Sequence, residues 1–150
     1  FLDRGSDERQ YCSPGVDLPI CSVMRSKYGE FNEYHTSLDN LDFVCPNGFA
    51  GSYETHTKII EAIENNFIYK ANVIGEPQLG KRGMYPNIST KKSISIVRNL
   101  KNVIAYCDGK NDLIDIANII NVPIWEIYPI INQLLKNNLI SKIINNEKNT

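Results

Sequence analysis

The sequence predicts an α/β chain in two parts, and three observations carry that prediction. An apolar run from Leu18 to Val23 lies between polar residues in the manner of a buried strand. Tyr53, Ile59, Ile60, Ile63 and Phe67 recur at the spacing of a helix that packs on a core. Beyond Ser93, three further helical stretches lead into a run of branched residues. Residues 1–70 therefore form one part and residues 92–150 a second. The stretch 71–91, broken by Gly75, Pro77, Gly80, Gly83 and Pro86, reads as a linker or lid loop.

Taken in order, Leu2 reads as a strand end and Gly5-Ser6-Asp7 as a turn in which Ser6 or Asp7 caps a short helical turn. Glu8, Arg9 and Gln10 then lie near a cleft. Ser13-Pro14-Gly15 turns the chain into the Leu18–Val23 strand, which returns it to the sheet. Residues 25–33 are a loop whose Tyr28 and Phe31, with Tyr34 beyond it, either wall a pocket or pack the loop. His35 follows at the mouth where the strand-end loops of an open α/β sheet collect. Thr36 or Ser37 is placed as a helix cap, and Asp39 stands four residues after the histidine. Neutral imidazole is a common zinc ligand, and its second nitrogen is usually held by a carboxylate or carbonyl, here Asp39 or Asp7. A lone histidine beside Thr or Asp is also the pattern of a surface turn, so spacing alone leaves both readings open. Pro46-Asn47-Gly48 breaks the chain before the helix of about residues 51–67, on whose polar side His56 lies. In the loop that follows, Lys81 and Arg82 between glycines suggest a weak anion site or a strap between domains.

In the second part Ile94, Val97, Leu100, Ile104 and Ala105 share one face of a first helix, which Asp108-Gly109 ends. Asn111 or Asp112 caps a second helix that Asn121 stops before Pro123. A third helix carries Ile127, Ile130, Ile131, Leu134 and Leu135, with Pro129 fitting only close to its first turn or at a kink. Residues 139–144 then alternate like a strand. Three helices and a strand resemble a winged helix. The third helix offers Trp125, Glu126, Tyr128, Asn132, Gln133 and Lys136, a single cation beside an acid, where readers of bases and phosphates carry several donors and cations. Docking, with Trp125 and Tyr128 as the interaction surface, is the expected role, and binding of nucleic acid is not.

The global bounds agree. Sixteen basic and seventeen acidic side chains give no field for polyanions or for a membrane surface. No apolar run approaches the roughly 20 residues that span a bilayer. Cys12, Cys21, Cys45 and Cys107 are irregularly spaced with no paired knuckle, which argues against a zinc finger and favours reduced thiols and a cytoplasmic location. The chain opens on Phe1 without an initiator methionine, and a fragment is expected.

Three motifs in order carry a resemblance that covers most of the chain. Gly5-Ser6-Asp7 with the following polar triplet and Tyr11, the apolar run with Leu18-Pro19, and Tyr34-His35-Thr36 with Asp39 resemble the C-terminal third of the co-catalytic zinc aminopeptidases. Glutaminyl cyclases are similar in the same segment. More narrowly, residues 4–11, Lys27-Tyr28-Gly29-Glu30 and residues 75–83 (GEPQLGKRG) resemble a bacterial aminopeptidase-like family with a C-terminal winged helix. The resemblance implies an open-sheet zinc-exopeptidase-like α/β domain, represented by its C-terminal part, followed by a small winged-helix domain. It implies His35 as a metal ligand, Asp39 and Asp7 as supports, and Arg9 and Tyr34 near a peptide-like or amide substrate. It also implies two zinc ions, with the other ligands and a general-base glutamate upstream, so that this chain alone is inactive and its partners are the rest of its own peptidase domain and a homo-oligomer. Glu8 stands where the family pattern has histidine, so substrate preference does not transfer simply. An inactive peptidase-like binding module is the alternative, and a DNA-binding regulator a more distant one.

Overall fold

The computed structural model describes residues 5–85 and 91–143 and divides the chain into two compact units, residues 1–57 and 58–150. The expected strand end at Leu2 and the last residue of the run 139–144 lie outside the described residues.

In the first unit, α1 (Ser6–Tyr11) starts directly after Gly5, which is the extended N-cap and makes no side-chain capping bond. Ser6 and Asp7 are thus inside the helix rather than caps, and Asp7 and Glu8 complement the exposed amides of its first turn. The Leu18–Val23 run is extended but is not a strand. The Leu18 amide donates to the Tyr11 carbonyl (2.9 Å), and the buried Cys12 thiol donates to the carbonyls of Leu18 (3.2 Å) and Ile20 (3.4 Å). The Ser22 amide donates to Glu8 Oε1 (2.9 Å). A strand exists only through a neighbour, and among the described residues this run has none in its unit, so Leu18, Ile20 and Val23 stay exposed. Thr36 caps no helix either: its hydroxyl donates to the Glu33 carbonyl (2.9 Å) and accepts the Leu38 amide (3.2 Å), closing a turn.

Helix α2 (Pro46–Glu64) begins five residues before the expected 51, because proline at the first helical position loses no bond and brings the right φ. Expected to pack on a core, it buries no described residue; Phe49 and Tyr53 in the first unit and Ile60 and Ile63 in the second are exposed.

The second unit has the core. After α2 come β1 (Ile68–Ala71), a 3-10 turn at Gly80–Arg82, α3 (Lys91–Tyr106), β2 (Asp108–Asp112), α4 (Leu113–Ile120), α5 (Ile124–Lys136) and β3 (Ile140–Lys142). The sheet is antiparallel in the order β2-β1-β3, with Ile68 opposite Asp112, Tyr69 opposite Lys142 and Ala71 opposite Ile140. Neither β1 nor β2 is among the predicted elements. The sequence of β2, Asp108 to Asp112, has no strand-forming residue and is extended only because β1 pairs with it. The Asp108 carboxylate accepts the amides of Lys110 (2.8 Å) and Asn111 (3.1 Å), which hold its pKa below the usual value.

Helix α4 matches expectation at both ends. Asp112 and Asp115 form a reciprocal capping box, and Asn121 closes the other end in a left-handed conformation at φ 53°. Asn66 reinforces the cap, donating to Asp112 Oδ2 (2.9 Å) and accepting the Ile114 amide (2.9 Å). Pro129 lies in the second turn of α5, past the first turn where it would be free of cost, and has no N–H to give the Trp125 carbonyl. Leu100 and Val103 of α3, with Cys107 just beyond its end, meet Leu113, Ile116, Ile127, Leu134 and Leu139 in one cluster. On α3 the buried face lies further along than expected, so Ile94 and Ala105 are exposed. The loop after β1 is bolted to the same cluster by buried Leu79 and Met84. The amides of Arg82, Gly83 and Met84 all turn inward, to the carbonyls of Leu79 and Gly80, so the amides expected for an anion site are occupied.

Two outcomes follow from this packing. Leu134→Ala, at a position with no exposure, lowers stability by about 2–5 kcal/mol in denaturant unfolding, while Ile119→Ala on the open side of α4 changes it by less than about 0.5 kcal/mol. Burial and the adjacent Asp108 push the Cys107 thiol up to about 12, so at pH 8 it is almost wholly protonated. Thiol titration of this chain with a disulfide reagent at pH 8 finds Cys21 and Cys45 fast, with Cys12 and Cys107 released only on unfolding.

Candidate functional site

The site is built from turns, with aromatic rings rather than a sheet as its support. His35 sits in the left-handed region at φ 58°, a conformation that costs a non-glycine residue about 1–3 kcal/mol unless its surroundings impose it. Its neighbours do so. The imidazole stacks on Tyr34 at 4.0 Å between ring centroids, Tyr34 meets Phe31 edge-on at 5.9 Å, and Phe31 stacks on Phe43 at 5.8 Å. Tyr28 flanks Tyr34 at 5.8 Å. The ladder turns the imidazole to solvent with one face covered.

Tyr28 also joins the two motifs that are far apart in sequence. A Cβ on Gly5 would lie 2.9 Å from the Tyr28 hydroxyl, so the absence of a side chain at Gly5 lets the start of α1 approach the ladder. Asp7 and Arg9 are exposed on α1, and Glu8 is half-buried and spent on the Ser22 amide. Asp39 is exposed in the turn after His35. Among the described residues neither Asp7 nor Asp39 hydrogen-bonds the imidazole, so the structure brings Tyr34 and His35 together but adds no carboxylate to them.

As a metal centre the chain is incomplete. A zinc site takes three or four protein ligands, and among the described residues no group of three His, Cys, Asp or Glu side chains could hold a metal ion. Among the described residues His35 is thus a single exposed imidazole and not part of such a group. His56 is engaged elsewhere, with Nδ1 2.7 Å from the Ser52 carbonyl one turn back in α2. Beside the ladder, Phe31, Phe43, Val44 and Phe49 line an open cleft of about 520 Å³, with Arg25 on its rim donating to the Gly48 carbonyl (3.3 Å). Of the ladder, Tyr34 and His35 belong to the predicted site, and Tyr28 and Phe31 to the expected pocket wall or loop packing; Phe43, Val44 and Phe49 are not among the expected site residues.

In the second unit, Trp125 is about half exposed, with Lys58 Nζ 5.0 Å from its ring centroid. Tyr128 is half-buried against the core, and its hydroxyl has no hydrogen-bond partner among the described residues. Burial, with Glu61 nearby, raises its pKa. Of the two expected anchors Trp125 is thus the accessible one. The outer face of α5 keeps Glu126 and Lys136 as its charged residues.

Residues 1–66 match a domain of unknown function, DUF4910, and residues 67–142 match the winged helix-turn-helix family. A Clostridium acetobutylicum protein, provisionally described as a polysaccharide biosynthesis protein with aminopeptidase-like domain, is 48% identical over 119 residues, 78% of this chain. A crystal structure from Clostridium acetobutylicum, of a protein provisionally described as a peptidase, is 40% identical and superimposes with a TM-score of 0.81 over 95% of this chain. The chain spans 27% of the length of the first relative and 31% of the second. With its three helices, its three-stranded antiparallel sheet and a family match over residues 67–142, the chain belongs to the winged helix-turn-helix family.

Proposed function

We propose that the full-length protein is a zinc-dependent, aminopeptidase-like hydrolase acting on a peptide or amide bond. Residues 1–70 are then the C-terminal part of its open-sheet catalytic domain, and the winged helix serves docking or assembly. The observation that carries this reading is the presentation of His35, held in a costly backbone conformation with its ring stacked and solvent-facing, as a ligand shared with another part of the protein would be. The two Clostridium acetobutylicum relatives, one described with an aminopeptidase-like domain and the other as a peptidase, support the same class. In this reading Asp39 and Asp7 support the imidazole once the remaining ligands are in place, and Arg9 and Tyr34 stand near the substrate.

The second support is what the first unit fails to bury. Among its described residues only Cys12 is buried, while Leu41, Phe49 and Tyr53 are widely exposed. A stretch with so little core does not hold itself together, and the remainder of a catalytic domain would cover it. The charge of α5 supports docking over DNA binding for the winged helix: one acid and one cation give no counter-ion release comparable to that of a DNA reader.

The deciding experiment is metal content and aminopeptidase activity of the full-length protein, wild type against His35→Ala. Stoichiometric zinc that is lost with activity in the variant is the expected result. A wild type without metal, or a variant that keeps both, overturns the ligand assignment and leaves the binding-module alternative. A separate measurement addresses the covered face: Ile63→Ala changes the stability of the 150-residue chain by less than about 0.5 kcal/mol but destabilises the full-length protein by about 2 kcal/mol or more. Equal effects in both would show that α2 stays open.

A further inference from the structure

In the first unit a cation stands at the rim of an apolar cleft with no carboxylate to answer it. The cleft, of about 520 Å³, has Phe31, Phe43, Val44 and Phe49 as walls and Arg25 at its edge. Its volume, with rings for walls and a few polar groups, is that of a small-molecule site. The Arg25 guanidinium donates one bond, from Nη2 to the Gly48 carbonyl at 3.3 Å, and among the described residues no carboxylate pairs with it. Its seat is prepared. A Cβ on Gly51 would collide with Nη2, so the bare backbone of α2 at that point lets the guanidinium lie there. The walls are ordered too: Phe31 and Phe43 stack at 5.8 Å with 18° between their planes, and Phe31 is also a rung of the ladder that carries Tyr34 and His35.

We propose that this cleft binds an aromatic residue that bears a free carboxylate, the C-terminal residue of a short peptide, with its ring among Phe31, Phe43 and Phe49 and its carboxylate on the fork of Arg25. Charge selects the anionic group. A guanidinium has five N–H donors and pairs best with a planar carboxylate through two parallel bonds, and Arg25 spends only one weak bond on a neutral carbonyl. The nearness of that cation to three rings selects the rest, because an aromatic residue at a chain end carries a carboxylate close to its ring and one inside a chain does not. Location selects a ligand over the protein's own chain. Ring steps of 5.9 Å and 4.0 Å lead from Phe31 to Tyr34 and from Tyr34 to His35, so the cleft opens within about three residues of extended chain from the imidazole. A covering segment would close that approach, whereas Leu41 and Tyr53, which line no part of the cleft, are free to be covered. That the bound residue is the end of a substrate rests on the hydrolase reading; the binding itself does not.

The test is equilibrium binding of hydrocinnamate to the full-length protein by calorimetry. It is expected to bind at least about tenfold more tightly than hydrocinnamyl alcohol, which has the ring without the charge, and than propionate, which has the charge without the ring. Arg25→Gln is expected to remove the preference over the alcohol without lowering Tm. Gly51→Ala keeps every charge and favours the helix, so it is expected to weaken hydrocinnamate about tenfold while Tm holds or rises. His35→Ala is expected to bind as wild type does, which separates this site from a carboxylate held on a metal and so from the fate of the hydrolase reading. No preference for the acid, wild-type binding by Arg25→Gln, or loss of binding in His35→Ala overturns the proposal. A lowered Tm in Arg25→Gln overturns it as well, by showing that the protein's own chain occupies the cleft.

Discussion

The second unit depends on the pairing of β1 with a strand on each side. Four residues, Ile68 to Ala71, stand between β2 and β3 and pair with both, while β2 and β3 do not pair with each other among the described residues. Tyr69 is buried beneath the sheet, and Asn66, immediately upstream, pins the start of α4. The chain beyond β1 then returns over the core through Leu79 and Met84. Removal of β1 would leave β2, a polar pentapeptide, without any reason to be extended, and would uncover the apolar faces of α3 and α5. In this family member the central strand is donated by the segment ahead of the helices, so the module is larger than its three helices and last strand.

The first unit is held differently. Its fixed points are short-range: a thiol that ties the extended run to α1, a threonine hydroxyl that closes a turn, and rings stacked from His35 to Phe43. Such contacts define a local conformation without excluding much water. They suit a surface that is finished by other chain, and they seat the histidine of positive φ against a stack of rings, where aromatic contact offsets the backbone cost.

How much of this is legible in the sequence varies with the physics of each element. Asp112 and Asn121 bound α4 because capping chemistry is local and side-chain specific. The third helix and the final strand are likewise visible in the periodic isoleucines and leucines. The strand β2 is not, since Asp108-Gly109-Lys110-Asn111-Asp112 owes its shape entirely to its neighbour. The Leu18–Val23 run shows the converse, a strand-like sequence that stays unpaired among the described residues. Apolar periodicity in α2 announces a buried face, but which part of the protein buries it is not encoded in the helix. At the site, Tyr34-His35 was legible as a pair; the approach of Gly5 to Tyr28, which brings a distant motif to it, depends on the loop's path and not on any pattern of residues.

The position of β1 also orders events in time. Its contacts with β3 join Tyr69 to Lys142, so 73 further residues must be made after Tyr69 before the sheet can be completed. On the ribosome β1 would emerge before both of its partners, pair first with β2, and wait with one edge open until Ile140 to Lys142 arrive. Closing so long a loop is slow relative to the local helices around it, and an apolar strand with a free edge is a hazard for association with other nascent chains. The buried Leu79 and Met84 lie close behind β1 in sequence, and a loop that folds back early onto α3 would give the waiting strand a partial shelter.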